Sequence, residues 1–219
     1  MNYIKKRKCF EFEYTTLDEE YIDELVSFIE EKYTDMMLFF DLDIIEKIVH
    51  IKLFDDLELF RNTCGALWRG KEVPSWLCGL SFQNQKEDYI FTLCFEEYKK
   101  TKGHHHCTLD NLKTLILHEF IHICHKRYTN IKIPIWLGEG LATYLSHQYD
   151  GEDLFFDATI EELLEGGTSY INYYVMVSYA LNKYGRNYIL RLLKDEEYVK
   201  NETYKLYEEV KLIYKTRNI

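Results

Sequence analysis

The feature that most constrains this chain is a pair of histidines four residues apart, in the run His118-Glu119-Phe120-Ile121-His122. Apolar residues recur at intervals of three and four through this region, which is the period of an α-helix, and Thr108 is a suitable N-cap. On a helix, residues four apart lie about 40° apart in projection and one turn along the axis. The two imidazoles therefore lie side by side, as two nitrogen ligands of one metal ion do.

The glutamate between the two histidines has a different geometry. Glu119 lies about 100° around the helix from His118, too far to be a third ligand but close enough to hold a water on the metal. The spacing therefore predicts two ligands plus a general base. The alternative is a buried amphipathic helix with two incidental histidines.

A catalytic zinc takes three protein ligands and leaves one position open for water or substrate. Glu139 is the best candidate for the third ligand, because it lies early in the next predicted helix, after one reversal of chain direction. Gly138 and Gly140 flank it and leave room for the close approach of backbone or substrate. Without the upstream pattern, Glu139 would be read as an ordinary surface carboxylate. With it, the sequence predicts one Zn²⁺ per chain, bound by His118, His122 and Glu139.

Composition narrows the class of protein. A hydrophobic content of 47% with 16% aromatic residues excludes a disordered chain. A net charge of −10 repels phosphate, so we expect neither a nucleic-acid partner nor an anionic membrane surface. No run of apolar residues reaches the length of a membrane span. The basic residues 5–8 are followed by alternating charge, so they do not begin a signal peptide.

The six cysteines are scattered and form no C-x-x-C pair. This pattern favours reduced, mostly buried thiols over a disulfide framework. We therefore expect a cytoplasmic protein, with a leaderless export route left open.

The hydrophobic pattern predicts strands first and helices afterwards. It predicts strands at residues 8–14 and 47–54, a hairpin formed by 76–82 and 89–95, and helices at 18–40 and 55–64, the latter ended by Gly65. A charged loop, residues 99–107, leads to the metal helix, and a second helix covers residues 135–145. From Asp157 onward the pattern is helical, with glycine breaks.

This order of elements predicts an α+β fold. Residues 1–128 form an N-terminal lobe with a small mixed sheet, a backing helix and the metal helix. Residues 129–219 form a helical C-terminal lobe that carries the third ligand. The two lobes make up a single catalytic unit.

The metal-binding pattern, followed by Trp136-Leu137-Gly138-Glu139-Gly140-Leu141-Ala142, resembles the gluzincin metallopeptidases. The likeness is greatest to the peptidase MA-like domains, a branch that includes the large zinc aminopeptidases and small single-domain members. The resemblance covers roughly residues 75–195. It implies a zincin-like fold, zinc ligation by the two histidines and Glu139, and Glu119 as the general base.

The likeness extends to residues 170–185, which resemble the tyrosine-bearing helix of that family. In its register, Tyr170 falls where the aminopeptidases carry their catalytic tyrosine. The preceding glycines and hydroxyl residues predict that Tyr170 lies in the first turn of a helix. Tyr173 and Tyr174 share its face and remain alternatives, as does a packing role for all three.

One departure from the family bears on specificity. The stretch before the metal helix lacks the Gly-x-Met-Glu-Asn motif with which the aminopeptidases hold the free amino end of their substrate. We therefore expect an endopeptidase rather than an aminopeptidase, with a peptide or protein substrate in extended conformation. Residues 89–95 are predicted to offer a free strand edge for that peptide.

Several readings compete with a zinc peptidase. The main alternative is a non-catalytic zinc-containing domain of the same fold that binds peptides, although such a domain would not need Glu119. A third hypothesis is a metallo-hydrolase that acts on non-peptide amides or as a toxin-like protease, which differs from the first only in its substrate. Among the other histidines, residues 104–106 favour a solvated loop over a second metal site, His125 is expected to face away from the metal, and His147 to lie on the surface.

Overall fold

The computed structural model describes residues 2–70, 72–101 and 104–217. These residues form a five-stranded sheet and nine α-helices, with a short 3₁₀ helix at Thr16–Asp18. In chain order the elements are β1 (Tyr3–Arg7), β2 (Phe10–Tyr14), α1 (Ile22–Phe39), β3 (Val49–Phe54), α2 (Leu57–Leu67), β4 (Gly79–Gln83), β5 (Asp88–Leu93), α3 (Phe95–Lys100), α4 (Leu109–Tyr128), α5 (Ile135–Leu145), α6 (Ile160–Glu165), α7 (Tyr170–Tyr184), α8 (Arg186–Leu192) and α9 (Glu196–Arg217).

The α+β class and the mixed sheet are confirmed, but three local predictions need correction. The first predicted strand, residues 8–14, corresponds to β2 and starts too early, because Lys8 takes a positive φ of 50° and turns the chain between β2 and β1, a strand that was not predicted. Gly65 lies inside α2 and does not end it. The start of the predicted charged loop is helical, because α3 runs to Lys100.

The strands pair in the order β1-β2-β3-β5-β4. The two outer pairs, β1 with β2 and β4 with β5, are antiparallel, whereas β2 with β3 and β3 with β5 are parallel. The predicted hairpin of residues 76–82 and 89–95 is confirmed, because β4 and β5 pair antiparallel. Its turn is held by Asn84, whose side-chain oxygen accepts from the N–H groups of Lys86 and Glu87 at 2.8 and 2.9 Å.

The prediction that residues 89–95 offer a free edge is wrong. β5 pairs on one side with β3 and on the other with β4, so its backbone groups are used on both sides. Within the described residues, the strands with one neighbour are β1 and β4. The uninterrupted apolar character of 89–95 is typical of a central strand, which the hairpin pattern alone did not reveal.

By internal contacts, the described chain divides into two compact units. The first contains residues up to Leu38 together with Leu42–Ile123. Alternate side chains of the central strands, such as Phe10, Ile51 and Ile90, are buried on one face of its sheet. The ring of Phe120 from α4 lies 5.2 Å from that of Phe10, which fixes this part of the metal helix on the sheet.

The second unit contains Phe39–Asp41 together with residues from Cys124 onward. Its centre is the packing of α5 on α7. Trp136 of α5 is fully buried, and its indole N–H donates to Thr203 Oγ1 of α9 at 3.2 Å. The start of α5 is therefore anchored on α9 as well as on α7.

None of the six cysteines, all of which the structure describes, forms a disulfide, and four of them are buried, as expected for mostly buried thiols. In the part of the chain that the structure describes, no helix combines the length and the apolar content needed to cross a membrane.

Candidate metal centre

The two histidines of the metal helix lie side by side, as their spacing predicts. His118 and His122 are buried, with 7% and 8% of their surfaces exposed. Their Nε2 atoms are 3.1 Å apart, and their ring centroids are 4.8 Å apart at an interplanar angle of 79°. Both Nε2 atoms therefore approach the same point in space.

This separation suits a shared metal ion. With Zn–N bonds of about 2.05 Å, nitrogens 3.1 Å apart subtend an angle of about 98° at the metal, near the tetrahedral value. The same distance also suits a hydrogen bond from one neutral imidazole to the other. The position of the third predicted ligand distinguishes a metal site from a simple hydrogen bond between the two histidines.

That third residue is Glu139, which is half-buried in α5. His118, His122 and Glu139 each offer one ligand atom, and these atoms all lie within 4.8 Å of one another. Tetrahedral ligands at about 2.1 Å from one ion lie about 3.4 Å apart, so atoms within 4.8 Å of one another are close to the spacing of a ligand set. Among the described residues, this is the one group of three or more potential ligands that can hold a metal ion.

The position of Glu139 depends on the residue that follows it. A Cβ at Gly140 would lie 2.5 Å from the backbone oxygen of Tyr173 and 2.6 Å from Val177 Cγ2. Only glycine allows α5 to approach the backbone of α7 this closely. Burial raises the pKa of Tyr173, and the negative charge of Glu139 adds to that shift, as expected for neighbouring groups.

Gly138, on the other side of Glu139, does not have the same role. A Cβ there would meet Ile133 Cδ1 at 3.5 Å and His125 Nε2 at 3.7 Å, which are ordinary van der Waals distances. The predicted close approach is therefore found at Gly140 and not at Gly138.

Glu119 is also buried, with 7% of its surface exposed. Its side chain lies against the first residue of β4, because a Cβ on Gly79 would come within 3.1 Å of Glu119 Oε1 and 2.9 Å of Leu115 Cδ1. Gly79 was not predicted to be part of this site. Its signal was a glycine within a predicted strand, which often marks a close approach of another group.

Tyr170 is the first residue of α7, as predicted. The hydroxyl of Ser169 accepts from the N–H of Ile171 at 3.4 Å and caps the helix. Tyr170 is half-buried, and its ring packs edge-on against Tyr173 with centroids 5.8 Å apart.

The two alternative tyrosines are more deeply buried and have local partners. The hydroxyl of Tyr173 donates to the carbonyl oxygen of Glu162 at 3.5 Å. The hydroxyl of Tyr174 donates to Asp150 Oδ1 at 3.0 Å. These contacts give both hydroxyls a structural role within the second unit.

The remaining histidines outside the metal helix pair have other neighbours. His147 is exposed, as predicted, and pairs with Asp150 at 2.8 Å. His104 is half-buried, with Nδ1 3.4 Å from Cys107 Sγ, while His105 and His106 are exposed. His125 is buried near Gly138.

No protein-family model matches this sequence, and it matches neither a curated protein nor a solved structure.

Proposed function

We propose that this chain is a zinc-dependent peptidase of the gluzincin type, with a zincin-like fold and endopeptidase activity. The observation that supports this most is the meeting of Glu139 with His118 and His122. Two imidazoles and one carboxylate are the ligand set of catalytic zinc in well-known peptidases, and they leave one position open. The geometry of the histidine pair fits that ion.

His118, His122 and Glu139 would hold the zinc, which would supply a Lewis acid for the scissile carbonyl and lower the pKa of a bound water to about 7. Glu119 follows His118 directly in the helix and accepts the proton of the attacking water. It then passes this proton to the leaving nitrogen. Burial of Glu119 beside Gly79 keeps its carboxylate away from bulk water.

Tyr170 is the proposed hydrogen-bond donor to the oxyanion. Its position at the first turn of α7 gives the phenol more freedom to reach a substrate than a mid-helix position would. The register of the family that the sequence resembles also selects Tyr170 for this role.

The proposed substrate is an extended peptide that adds to the outer edge of β4, in place of the edge first predicted at 89–95. The carbonyl of Cys78 accepts from the N–H of Leu93 at 3.3 Å. Because bonding directions alternate along an antiparallel strand, the backbone groups of Gly79, Ser81 and Gln83 point away from β5. Gly79, at one end of this edge, lies next to Glu119, so a peptide paired there passes the general base.

The test is Glu119→Gln, which keeps the size and hydrogen bonding of the side chain but removes the base. We expect zinc content to stay near one per chain while hydrolysis of a peptide library falls by at least ~10²-fold, the lower range for acid–base catalysis. Asp110→Asn is a matched control, because Asp110 is an exposed carboxylate at the start of the same helix.

Two results would count against the peptidase. One is full activity in Glu119→Gln. The other is zinc-loaded wild-type protein that cleaves no member of a broad library, in which case a non-catalytic zinc-containing peptide-binding domain becomes the better description.

A further inference from the structure

We infer that Leu80 and Phe82 select the substrate, by favouring large apolar side chains at two positions separated by one residue, on the same side of the cleaved bond. This inference rests on the proposed function, and it names a substrate preference that the metal site does not determine. The strand residues that it concerns, and Glu119 beside them, all lie in the first unit.

The two faces of β4 carry different side chains. Gly79, Ser81 and Gln83 face α4: Gly79 lies against Glu119, Ser81 is buried, and Gln83 Nε2 donates to the carbonyl of Ile123 at 3.5 Å. Since side chains alternate along a strand, Leu80 and Phe82 lie on the opposite face. Both are half-buried.

That opposite face continues as an aromatic surface. Phe82 is paired with Tyr89 and Leu80 with Phe91 across the hairpin. The ring of Tyr89 lies 6.4 Å from that of Phe82 and 5.6 Å from that of Phe91, and the latter pair is stacked. Leu80 and Phe82 are thus the outermost members of two cross-strand rows.

An added peptide strand would extend both rows by one residue. Residues directly opposite each other on neighbouring strands place their side chains on the same face, so the residues opposite Leu80 and Phe82 contact them. In an antiparallel pairing these are the pairs without direct hydrogen bonds, in which side chains come closest. The residue between them, opposite Ser81, points its side chain towards the α4 face instead.

The register relative to the cleaved bond follows from Gly79. The peptide residue opposite Gly79 lies nearest to Glu119. The residue opposite Leu80 is then its immediate neighbour, and the one opposite Phe82 is two residues further along the chain. Cleavage sites should therefore show two apolar positions in an i, i+2 arrangement on one side.

The test is the cleavage profile of zinc-loaded protein on a proteome-derived peptide library, compared with Leu80→Thr and Phe82→Thr. Threonine keeps a strand-forming side chain and deletes most of the apolar surface. We expect wild type to enrich apolar residues at both positions by about fivefold each, the upper range for a cross-strand pair. Each variant should lose the preference at its own position and keep the other.

Two further variants separate specificity from folding. Phe82→Leu keeps an apolar contact and should retain the preference at that position. Ile4→Thr is the matched control, because Ile4 is 61% exposed on β1 at the opposite edge of the sheet. It should leave the cleavage profile unchanged.

The outcomes distinguish this inference from the proposed function. Cleavage without an i, i+2 apolar preference, or with a preference that neither threonine variant changes, overturns the inference alone. If wild type cleaves nothing, labelled peptides that carry either apolar or polar residues at these two positions are compared by fluorescence anisotropy for binding to zinc-loaded protein. A retained apolar preference in binding then overturns only the peptidase, whereas equal binding of apolar and polar peptides overturns both.

Discussion

At the scale of single residues, three tyrosines in α7 compete for one chemical role, and their surroundings differ. Tyr173 and Tyr174 are buried and donate to partners in the second unit, whereas Tyr170 is half-buried at the start of the helix. We therefore expect Tyr170→Phe to lower kcat and kcat/KM together by about 10²–10³, as loss of an oxyanion donor does. KM should change little, because the bond forms only in the transition state.

Tyr173→Phe and Tyr174→Phe are the comparison variants in the same steady-state assay. Each deletes one hydroxyl and should reduce stability more than turnover, by about 1 kcal/mol for the lost hydrogen bond. If kcat is unchanged in Tyr170→Phe and falls in either comparison variant, the oxyanion donor is that other tyrosine and not Tyr170.

A second residue-scale feature is the carboxyl group of Asp18, which is fully buried in the 3₁₀ helix of the first unit. Burial raises its pKa to about 6, although the hydrogen bond from the N–H of Thr15 opposes that shift. In the unfolded chain the ordinary value is about 3.9. The folded protein therefore keeps a proton between about pH 4 and pH 6 that the unfolded chain releases, so its stability falls as pH rises through this window.

Asp18→Asn removes the titration and keeps an oxygen that can accept from Thr15. Its free energy of unfolding, compared with wild type in urea at a series of pH values, should rise relative to wild type from pH 4 to pH 6. The gain should level off above pH 6 at no more than about 3 kcal/mol, at 1.36 kcal/mol for each pKa unit. Parallel pH profiles for the two proteins would show that Asp18 titrates normally.

At the scale of elements, the approach of α5 to α7 positions the proposed third ligand, and two glycines in α5 give a matched test of it. Gly140→Ala would place a methyl group 2.5 Å from the backbone oxygen of Tyr173, so the helices must move apart. We expect a loss of about 1–3 kcal/mol in unfolding free energy, typical of overpacking. Zinc affinity measured by competition with a chelator should fall too, since Glu139 is the adjacent residue.

Gly138→Ala is the control in the same helix. Its methyl group meets only ordinary contacts, and alanine favours a helix over glycine by about 0.5–1 kcal/mol. Stability should stay level or rise, with zinc affinity unchanged. Equal destabilisation by both substitutions would mean that close helix packing does not distinguish the two positions.

Elements whose bounds depend on neighbouring residues along the chain could be predicted from the sequence. α5 begins directly after Pro134, and α7 begins after the hydroxyl residues that cap it, both as expected. The order of strands could not be predicted, because periodicity gives each strand a buried face but does not name its neighbours. This is why a free edge was assigned to β5, although among the described strands it is β1 and β4 that have one neighbour.

In the candidate metal centre, too, the features set by residues close together along the chain could be predicted, and those set by tertiary packing could not. The pairing of His118 with His122 follows from helix geometry alone, since both lie on one helix. Glu139 could be proposed from its place early in the next helix, its flanking glycines and the family resemblance, but its approach to the histidines depends on tertiary packing, which the sequence does not give. Gly79 escaped notice for the same reason: the side chain that it makes room for lies forty residues later in the chain.

For the whole molecule, a ligand that binds only the folded chain must stabilise it. With free Zn²⁺ at one hundred times its dissociation constant, we expect a gain of about 2.7 kcal/mol in unfolding free energy, seen as a higher Tm. Mg²⁺ at the same concentration should give no such gain, because two imidazoles suit zinc and not magnesium. The measurement needs no substrate, so it tests the metal site independently of any activity.

Variants show whether the stabilisation arises at the proposed ligands. His118→Ala and His122→Ala should each lose most of the zinc-dependent gain, and Glu139→Gln should lose part of it, because a neutral amide is a weaker ligand than a carboxylate. His147→Ala is the control, since that histidine is exposed and paired with Asp150. If zinc raises the Tm of His118→Ala and His122→Ala as much as that of wild type, the ion binds elsewhere, and both the metal centre and the peptidase built on it must be abandoned.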